Sequence, residues 1–300
     1  MITNDTRLRA GANPRPTRAP ATRAAPRTLG AILIAAGRLD VVGAKKILDR
    51  QRVSGGSFGQ AAISLGLLTE ADVELGLARQ FDSSHVVAGN STLSDELVAA
   101  YDPIGAQAEA LRVLRAELMQ RWFKEPGKQA LAITSAEPQE GRSYLAANLA
   151  VAFSQLGQRT LLIDADLRRS RQHALFGMSN RLGLSALLAG RAGPEVIKPV
   201  AGLRGLSLLR AGPRPPNPAD LLGRPAFGQL LRALGGYYDV VLIDTPAAAK
   251  RVDARSVAAS AGAALVVARK DVTPLGAVTG LSQAMSRSGI AVLGAVLNEF

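Results

Sequence analysis

From residue 130 onward, short apolar runs alternate with longer stretches whose apolar positions recur at helical spacing. The runs are "ALAIT" (130–134), "TLLID" (160–164), "LSLL" (206–209), "VVLID" (240–244), "ALVVA" (264–268) and "IAVLGAVLN" (290–298). Runs this short with no polar face suit strands covered on both sides. Long connections with helical patterns separate most of them, which predicts an α/β fold: a parallel sheet with helices on both faces. Just upstream, "IGAQAEALRVLRAELMQRW" follows Pro103 and sets Ile104, Leu111, Leu114 and Leu118 at helical spacing, predicting an amphipathic helix.

The first third of the chain has a different rhythm. "TLGAILIAAGRLDVVGAKKILDRQ" (28–51) aligns without gaps on "SFGQAAISLGLLTEADVELGLARQ" (57–80), at an offset of 29 residues. Leu29 matches Phe58, Gly30 matches Gly59, Gly37 matches Gly66 and Leu48 matches Leu77. Each copy reads as a short helix, a glycine stop, a polar cap and a second helix, with a capping box from Thr69 to Asp72. Neither copy can bury its own apolar face, so the two are expected to pack as one small all-α domain over 28–88. Residues 89–102, "GNSTLSDELVAAYD", read as a linker, and 103–300 as the α/β domain.

Composition narrows the chemistry. The chain has 300 residues, no cysteine and two histidines, His85 and His173, which excludes disulfides and thiolate metal sites and leaves little for zinc. The formal charge is +12, but six arginines lie within residues 1–27, against the single acid Asp5. That segment has almost no large apolar residue and reads as a disordered basic tail. No aromatic interleaves its arginines, so nucleic-acid binding is not expected. Contact with an anionic membrane surface and a leader without a role both remain open. No apolar run reaches 18 residues and no hydrophobic signal core opens the chain, so the reading is cytoplasmic, with a peripheral inner-membrane location as an option.

The acids lie where the sheet should end. After the first run comes "SAEPQEGRSYLAANLA" (135–150), which has the outline of a phosphate loop, G-x-x-x-x-G-K-S/T, with Ala136 in the first glycine slot and Arg142 in the lysine slot. Free N–H groups at the following helix start favour phosphate. Ser143 can offer its hydroxyl to Mg²⁺. Asp164 and Asp166 end the second run, and Asp244 the fourth. Three carboxylates beside one loop call for a divalent cation, which Mg²⁺ with ATP supplies. Asn298 ends the last run at the same edge, either touching the base or serving as a turn residue.

Residues 103–300 resemble the cytoplasmic domain of bacterial tyrosine kinases (BY-kinases), particularly those that determine exopolysaccharide chain length; these have a deviant P-loop NTPase fold. "SAEPQEGRSYLAANLA" stands in place of the Walker A motif, "LLIDADLR" resembles Walker A′, "VVLIDTPA" resembles Walker B, and "PPNPADLL" (215–222) resembles a family segment between those last two. The resemblance implies a Mg·ATP-dependent protein-tyrosine kinase. Glu140, Gly141, Arg142, Ser143 and Tyr144 would hold the nucleotide, Asp164 would be the base toward a tyrosine hydroxyl with Asp166 and Arg142 beside it, and Asp166, Asp164 and Asp244 would organise Mg²⁺ with Ser143. Glu109, Arg112 and Arg115 reproduce the family's E-x-x-R-x-x-R motif, implying a homo-oligomeric ring. The implied partner is a membrane chain-length regulator, a polysaccharide co-polymerase. Three departures qualify this: Arg142 is bulkier and planar where lysine is usual, Gln139 stands where relatives have glycine, and "GAVLNEF" carries no tyrosine cluster, so self-phosphorylation there is not expected. Tyr237 and Tyr238, just before a core run, are expected to pack. A nucleotide-binding switch without transfer is the second reading. A positioning ATPase of the septum or chromosome type is a third; its signature lysine would fall at Glu137. The repeats over 28–80 resemble the small N-terminal domain of type II secretion and pilus ATPases. Some of those bind cyclic di-GMP, but the leading arginines are replaced here by Thr28 and Ser57, so the first reading is an interaction module without ligand, with cyclic di-GMP binding as the alternative.

Overall fold

The computed structural model describes residues 28–80, 91–102, 105–248 and 252–299. The basic tail, His85, Pro103, Ile104 and the first two residues of the expected linker lie outside them. The chain divides into two units, Met1–Asp82 and Ser83–Phe300.

In the first unit, helices α1 (Leu29–Ala35), α2 (Val41–Ser54), α3 (Phe58–Ser64) and α4 (Glu70–Gln80) realise the two repeats. The capping follows the repeat offset. Thr28 and Ser57 cap α1 and α3, Asp40 Oδ1 accepts from Gly43 N at 2.6 Å, and Thr69 Oγ1 accepts from Asp72 N at 3.2 Å as the capping box requires. Gly37 and Gly66, at φ of 68° and 64°, are the matching stops. Close approach demands two other glycines: a Cβ at Gly59 would meet Val73 at 2.6 Å, and one at Gly76 would meet Leu29 at 2.4 Å. Leu29, Leu33, Leu39, Ile47, Ala61, Ala62 and Leu68 form the shared core.

The second unit begins with α5 (Val98–Tyr101) and α6 (Ala106–Leu118), which runs into a π turn at Met119–Phe123. Then follow β1 (Ala130–Ser135), α7 (Arg142–Gln155), β2 (Thr160–Asp164), α8 (Gln172–Leu175), α9 (Leu184–Leu188), β3 (Lys198–Pro199) and β4 (Leu206–Leu209). The rest is α10 (Pro218–Gly223), α11 (Pro225–Leu234), β5 (Val240–Asp244), α12 (Asp253–Ala261), β6 (Ala263–Arg269), α13 (Leu275–Arg287) and β7 (Ala291–Asn298). All six apolar runs are strands. They form one sheet in the order β3-β4-β2-β5-β1-β6-β7, parallel except for β3. The six-residue β1 and the five-residue β2 and β5 are almost wholly buried because both faces are covered. One face packs on α5, α6 and α7, the other on α9 through α13.

Residues 91–102 are not the free linker expected from their composition. Leu93, Leu97, Ala99 and Ala100 are buried in the α/β core, and α7 holds the segment through Asn148 and through Gln155, whose Nε2 donates to Ala99 O at 2.7 Å. Asn148 Oδ1 accepts from Ala99 N at 3.0 Å while its Nδ2 donates to Glu96 O at 2.9 Å. Tyr237 also departs from expectation. It is 72% exposed, whereas Tyr238 packs half-buried against the core.

Candidate functional site

The loop after β1 is braced by its own residues. Gln139 and Gly141 take φ of 63° and 87°, so the chain turns sharply into α7 and aims that helix's free N–H groups at the loop. Gln139, which stands where relatives have glycine, adopts this left-handed conformation and carries its strain. Glu140 does not face a ligand with its side chain. It is buried, one oxygen accepts from Glu137 N at 2.9 Å and the other meets the Thr273 hydroxyl. Its carbonyl accepts from Asn298 Nδ2 at 2.8 Å, so Asn298 ties the end of β7 to the loop.

Arg142 differs most from the expected phosphate clamp. Its guanidinium turns inward and is buried: Nε donates to Thr245 O at 2.9 Å, and Nη1 donates to Glu137 O at 3.0 Å and to the Ser135 hydroxyl. Only Nη2 is left, 3.9 Å from Asp166 Oδ2. Arg142 therefore pins the loop to the end of β5. A planar fork with five donors suits that stitching, where a lysine ammonium could not span the same set of acceptors.

Asp164 and Asp244 are register partners on the adjacent strands β2 and β5, and both are fully buried. Asp164 Oδ1 accepts from Asp166 N at 3.2 Å, and Oδ2 from Arg171 N at 3.1 Å and Gln172 N at 3.0 Å. It organises the turn after β2, and both its oxygens are engaged, which argues against it as the base. Asp166 Oδ1 accepts from Arg168 N and Arg169 N at 3.2 and 2.9 Å, leaving Oδ2 toward Arg142. Asp244 Oδ2 accepts from Gln172 Nε2 at 2.7 Å, but Oδ1 is buried without a hydrogen-bond partner. Burial pushes the Asp164 carboxyl well above the ordinary carboxylate range, and the neighbouring Asp244 charge adds to it. Burial likewise raises Asp244, to about 6, against the opposing pull of Arg142, Gln172 and Ser143.

These acids do not form a cage: among the described residues no three histidine or acidic side chains stand close enough to hold a metal ion. Magnesium bound with a nucleotide needs no such cage, since phosphate oxygens and water fill most of its shell. The unpartnered Asp244 Oδ1, with Ser143 beside it at the start of α7, fits one edge of that shell. Next to the loop lies a cavity of about 640 Å³ lined by α6 (Gln107, Leu111, Leu114), by Gly141 and Tyr144, and by Leu297 and Asn298. Its size suits a nucleoside. The Tyr144 hydroxyl sits 3.3 Å from Gln107 Oε1.

No family model matches the chain. Over 201 residues it is 36% identical to the tyrosine-protein kinase Etk of Escherichia coli K12, which is 67% of this chain and 28% of Etk. It is 32% identical over 210 residues to the tyrosine-protein kinase YwqD of Bacillus subtilis, covering 69% of this chain and 87% of YwqD. The solved kinase domain of E. coli Etk superposes with a TM-score of 0.65 at 36% identity, over 68% of this chain and 79% of that one. The chain belongs to the bacterial tyrosine-protein kinase family. It spans little more than a quarter of the Etk length.

Several residues of this site carried no signal in the sequence. Gln172, eight positions beyond Asp164, bonds Asp244, Asp164 and, through Nε2 at 3.0 Å, Ser143 O. Thr245 offers its carbonyl to Arg142. Glu96, from the presumed linker, pairs with Arg171 Nη2 at 2.6 and 2.7 Å at the cavity wall. In the E-x-x-R-x-x-R trio, Arg112 Nε donates to Glu109 at 2.7 Å on the exposed side of α6, whereas Arg115 Nη1 turns inward to Ala152 O at 2.7 Å. Arg115 thus braces α6 on α7 within its own chain. Among the described residues no helix is long and apolar enough to cross a membrane. A second cavity of about 700 Å³ lies in the helical unit between repeat-equivalent residues, Thr28 with Ser57, Leu29 with Phe58 and Leu48 with Leu77. Its described lining holds no cation to meet a phosphate, which argues against cyclic di-GMP there.

Proposed function

We propose that the α/β unit transfers the γ-phosphate of Mg·ATP to tyrosine and thereby regulates exopolysaccharide chain length. The observation that carries this is the buried, unpartnered Asp244 Oδ1 beside Ser143, at the start of a helix that opens beside a nucleoside-sized cavity. Ser143, Asp244 and, through water, Asp166 would hold the magnesium, which neutralises charge on the transferring phosphoryl group. The loop N–H groups and the α7 N-terminus bind phosphate oxygens; Arg142 keeps the loop in that shape. In the transfer the tyrosine oxygen bonds to the γ-phosphorus as the bridging β–γ P–O bond breaks and ADP leaves. The proton passes to Asp166, whose Oδ2 is less committed than either oxygen of Asp164.

The chain would act with a membrane chain-length regulator of the export machinery and assemble with copies of itself through Glu109 and Arg112. The basic tail would add contact with anionic lipid, at about 1 kcal/mol per arginine near the surface. A nucleotide-dependent switch without transfer is the second reading, favoured by one observation: the only cation of the loop is spent on backbone carbonyls. Purified chain with γ-labelled ATP and Mg²⁺ separates the two. Label on tyrosine, lost with a chelator and in Asp244→Asn, is expected. Nucleotide binding without label selects the switch, and the absence of any calorimetric heat with ATP removes both.

A further inference from the structure

Three loops at the carboxyl edge of the sheet are tied into one rim beside the acids. Asn180 is the knot. Its Nδ2 donates to Ser170 Oγ at 3.2 Å and to Gly212 O at 3.1 Å, and its Oδ1 accepts from Gly212 N at 2.8 Å. Leu184 N donates to Arg210 O at 2.7 Å, and Ser185 contributes two more bonds, N to Ala211 O at 2.9 Å and Oγ to Pro213 O at 2.8 Å. The loops touch so closely that a Cβ on Gly183 would stand 2.0 Å from Arg210 O. Gly212, at φ 77°, has the Gly183 nitrogen 2.9 Å from where its own Cβ would be. The rim is therefore a fixed surface rather than three independent tips.

That stitching gathers positive charge. Arg169 flanks Ser170, Arg181 follows Asn180, and Arg214 follows Pro213; all three are exposed. Among the described residues none of the three has an ion pair or a side-chain hydrogen bond, whereas Arg168 is neutralised by Asp253 at 2.7 Å and Arg171 by Glu96 at 2.6 Å. Beneath them Arg210 is buried with no carboxylate partner: its Nη2 reaches Val196 O at 3.3 Å, its Nη1 meets Ser179 O, and its Nε is unpartnered. The rim adjoins the turn 164–171 that carries Asp166, so it offers a surface for a chain segment that presents a tyrosine to that acid.

Resting on the kinase reading above, we infer that this rim selects the acceptor: the substrate is a tyrosine flanked by aspartate or glutamate, whose carboxylates pair with Arg169, Arg181 and Arg214. Uncompensated cations around a site of opposite sign raise the encounter rate and set register more than they add to bulk affinity. Arginine forks also suit carboxylates bidentately.

The test uses the full chain and two fluorescent peptides, a tyrosine between Glu and Asp residues and the same peptide with Gln and Asn. Binding is read by anisotropy with a non-hydrolysable ATP analogue and Mg²⁺, and transfer by KM and kcat with Mg·ATP. The acidic peptide is expected to show a Kd and KM about tenfold lower, with kcat little changed. Arg181→Glu with Arg214→Glu, both far from the phosphate loop in sequence and exposed, is expected to erase the preference and favour a Lys-flanked peptide, with nucleotide affinity and melting temperature unchanged. Equal affinity for the two peptides, or an intact preference in the double variant, overturns the inference. So does binding to phosphatidylglycerol vesicles that needs the same two arginines and displaces the peptide, since the rim would then be a lipid contact. The two levels separate cleanly: transfer without preference defeats the rim, while acid-selective binding without transfer defeats the kinase reading and leaves the rim standing.

Discussion

A glutamine at φ 63° costs on the order of 1 kcal/mol relative to glycine, because its Cβ crowds the following carbonyl. Gln139 lines the nucleotide cavity, and no bond from its side chain stands among the described contacts. Gln139→Gly is therefore expected to raise stability slightly, with the offsetting loss that glycine is freer in the unfolded chain. Chemical denaturation should show an increase of up to about 1 kcal/mol. A loss of more than that amount would mean the side chain is held by something the loop geometry does not reveal. What was legible in the sequence is that Gln139 takes a place where relatives have glycine; that the loop turns left-handed there is a property of the folded chain. The role of Arg142 was not legible. Its position implied charge facing phosphate, but whether a guanidinium points out or in depends on acceptors such as Thr245 O that only the folded strands supply. Tyr237 shows the same limit: adjacency to a buried strand says little about which residues of the preceding turn pack.

At the scale of elements, the strands were legible because each central one is apolar on both faces and has a length typical of strands. β3 was not, having only Lys198 and Pro199 and a single neighbour in antiparallel register. The segment 91–102 was missed for a related reason. Its buried residues are scattered among polar ones, and what fixes them are Asn148 and Gln155, which lie about fifty positions away on α7. Asn148 is fully buried and all its bonding groups are used, including a bond to Tyr144 O at 3.1 Å. Asn148→Ala leaves Ala99 N without its acceptor and is expected to cost about 1–3 kcal/mol. Because Glu96 O is also released, the cost should be joined by increased proteolytic cleavage within 91–102 and a weaker nucleotide affinity, as Glu96 lines the same cavity. Equal cleavage in variant and parent would show that the remaining contacts, Gln155 to Ala99 O and the Arg171–Glu96 pair with the buried Leu93 and Leu97, hold the segment without Asn148.

For the whole molecule, the register-paired buried carboxylates Asp164 and Asp244 set a pH dependence opposite to ordinary acid denaturation. Asp244 titrates near 6 in the folded chain against 3.8 for an exposed aspartate, so between those values the native state binds more protons than the unfolded one. Stability then falls as pH rises. The contribution is complete below about 4 and is lost as pH passes through 6; two units correspond to about 3 kcal/mol at most. Asp164, also raised by burial, works in the same direction. Asp239, held low by its hydrogen bonds to Arg159, works in the opposite direction, its contribution being lost only as pH falls below the ordinary carboxylate range. In metal-free buffer the melting temperature of the parent relative to Asp244→Asn, which keeps the acceptor for Gln172 but cannot ionise, should therefore decline from pH 4.5 to pH 7; His173, lowered by burial and so favouring the native state as pH rises, is common to both. Saturating Mg·ATP favours the ionised carboxylate and should flatten that decline, so the stabilisation by nucleotide should be larger at pH 7 than at pH 5. A parent protein whose melting temperature runs parallel to that of Asp244→Asn across this range, with and without magnesium, would mean that Asp244 is not the uncompensated acid its surroundings make it. The case for a cation at Ser143 would then lose its physical basis, while membership of the kinase family would be untouched.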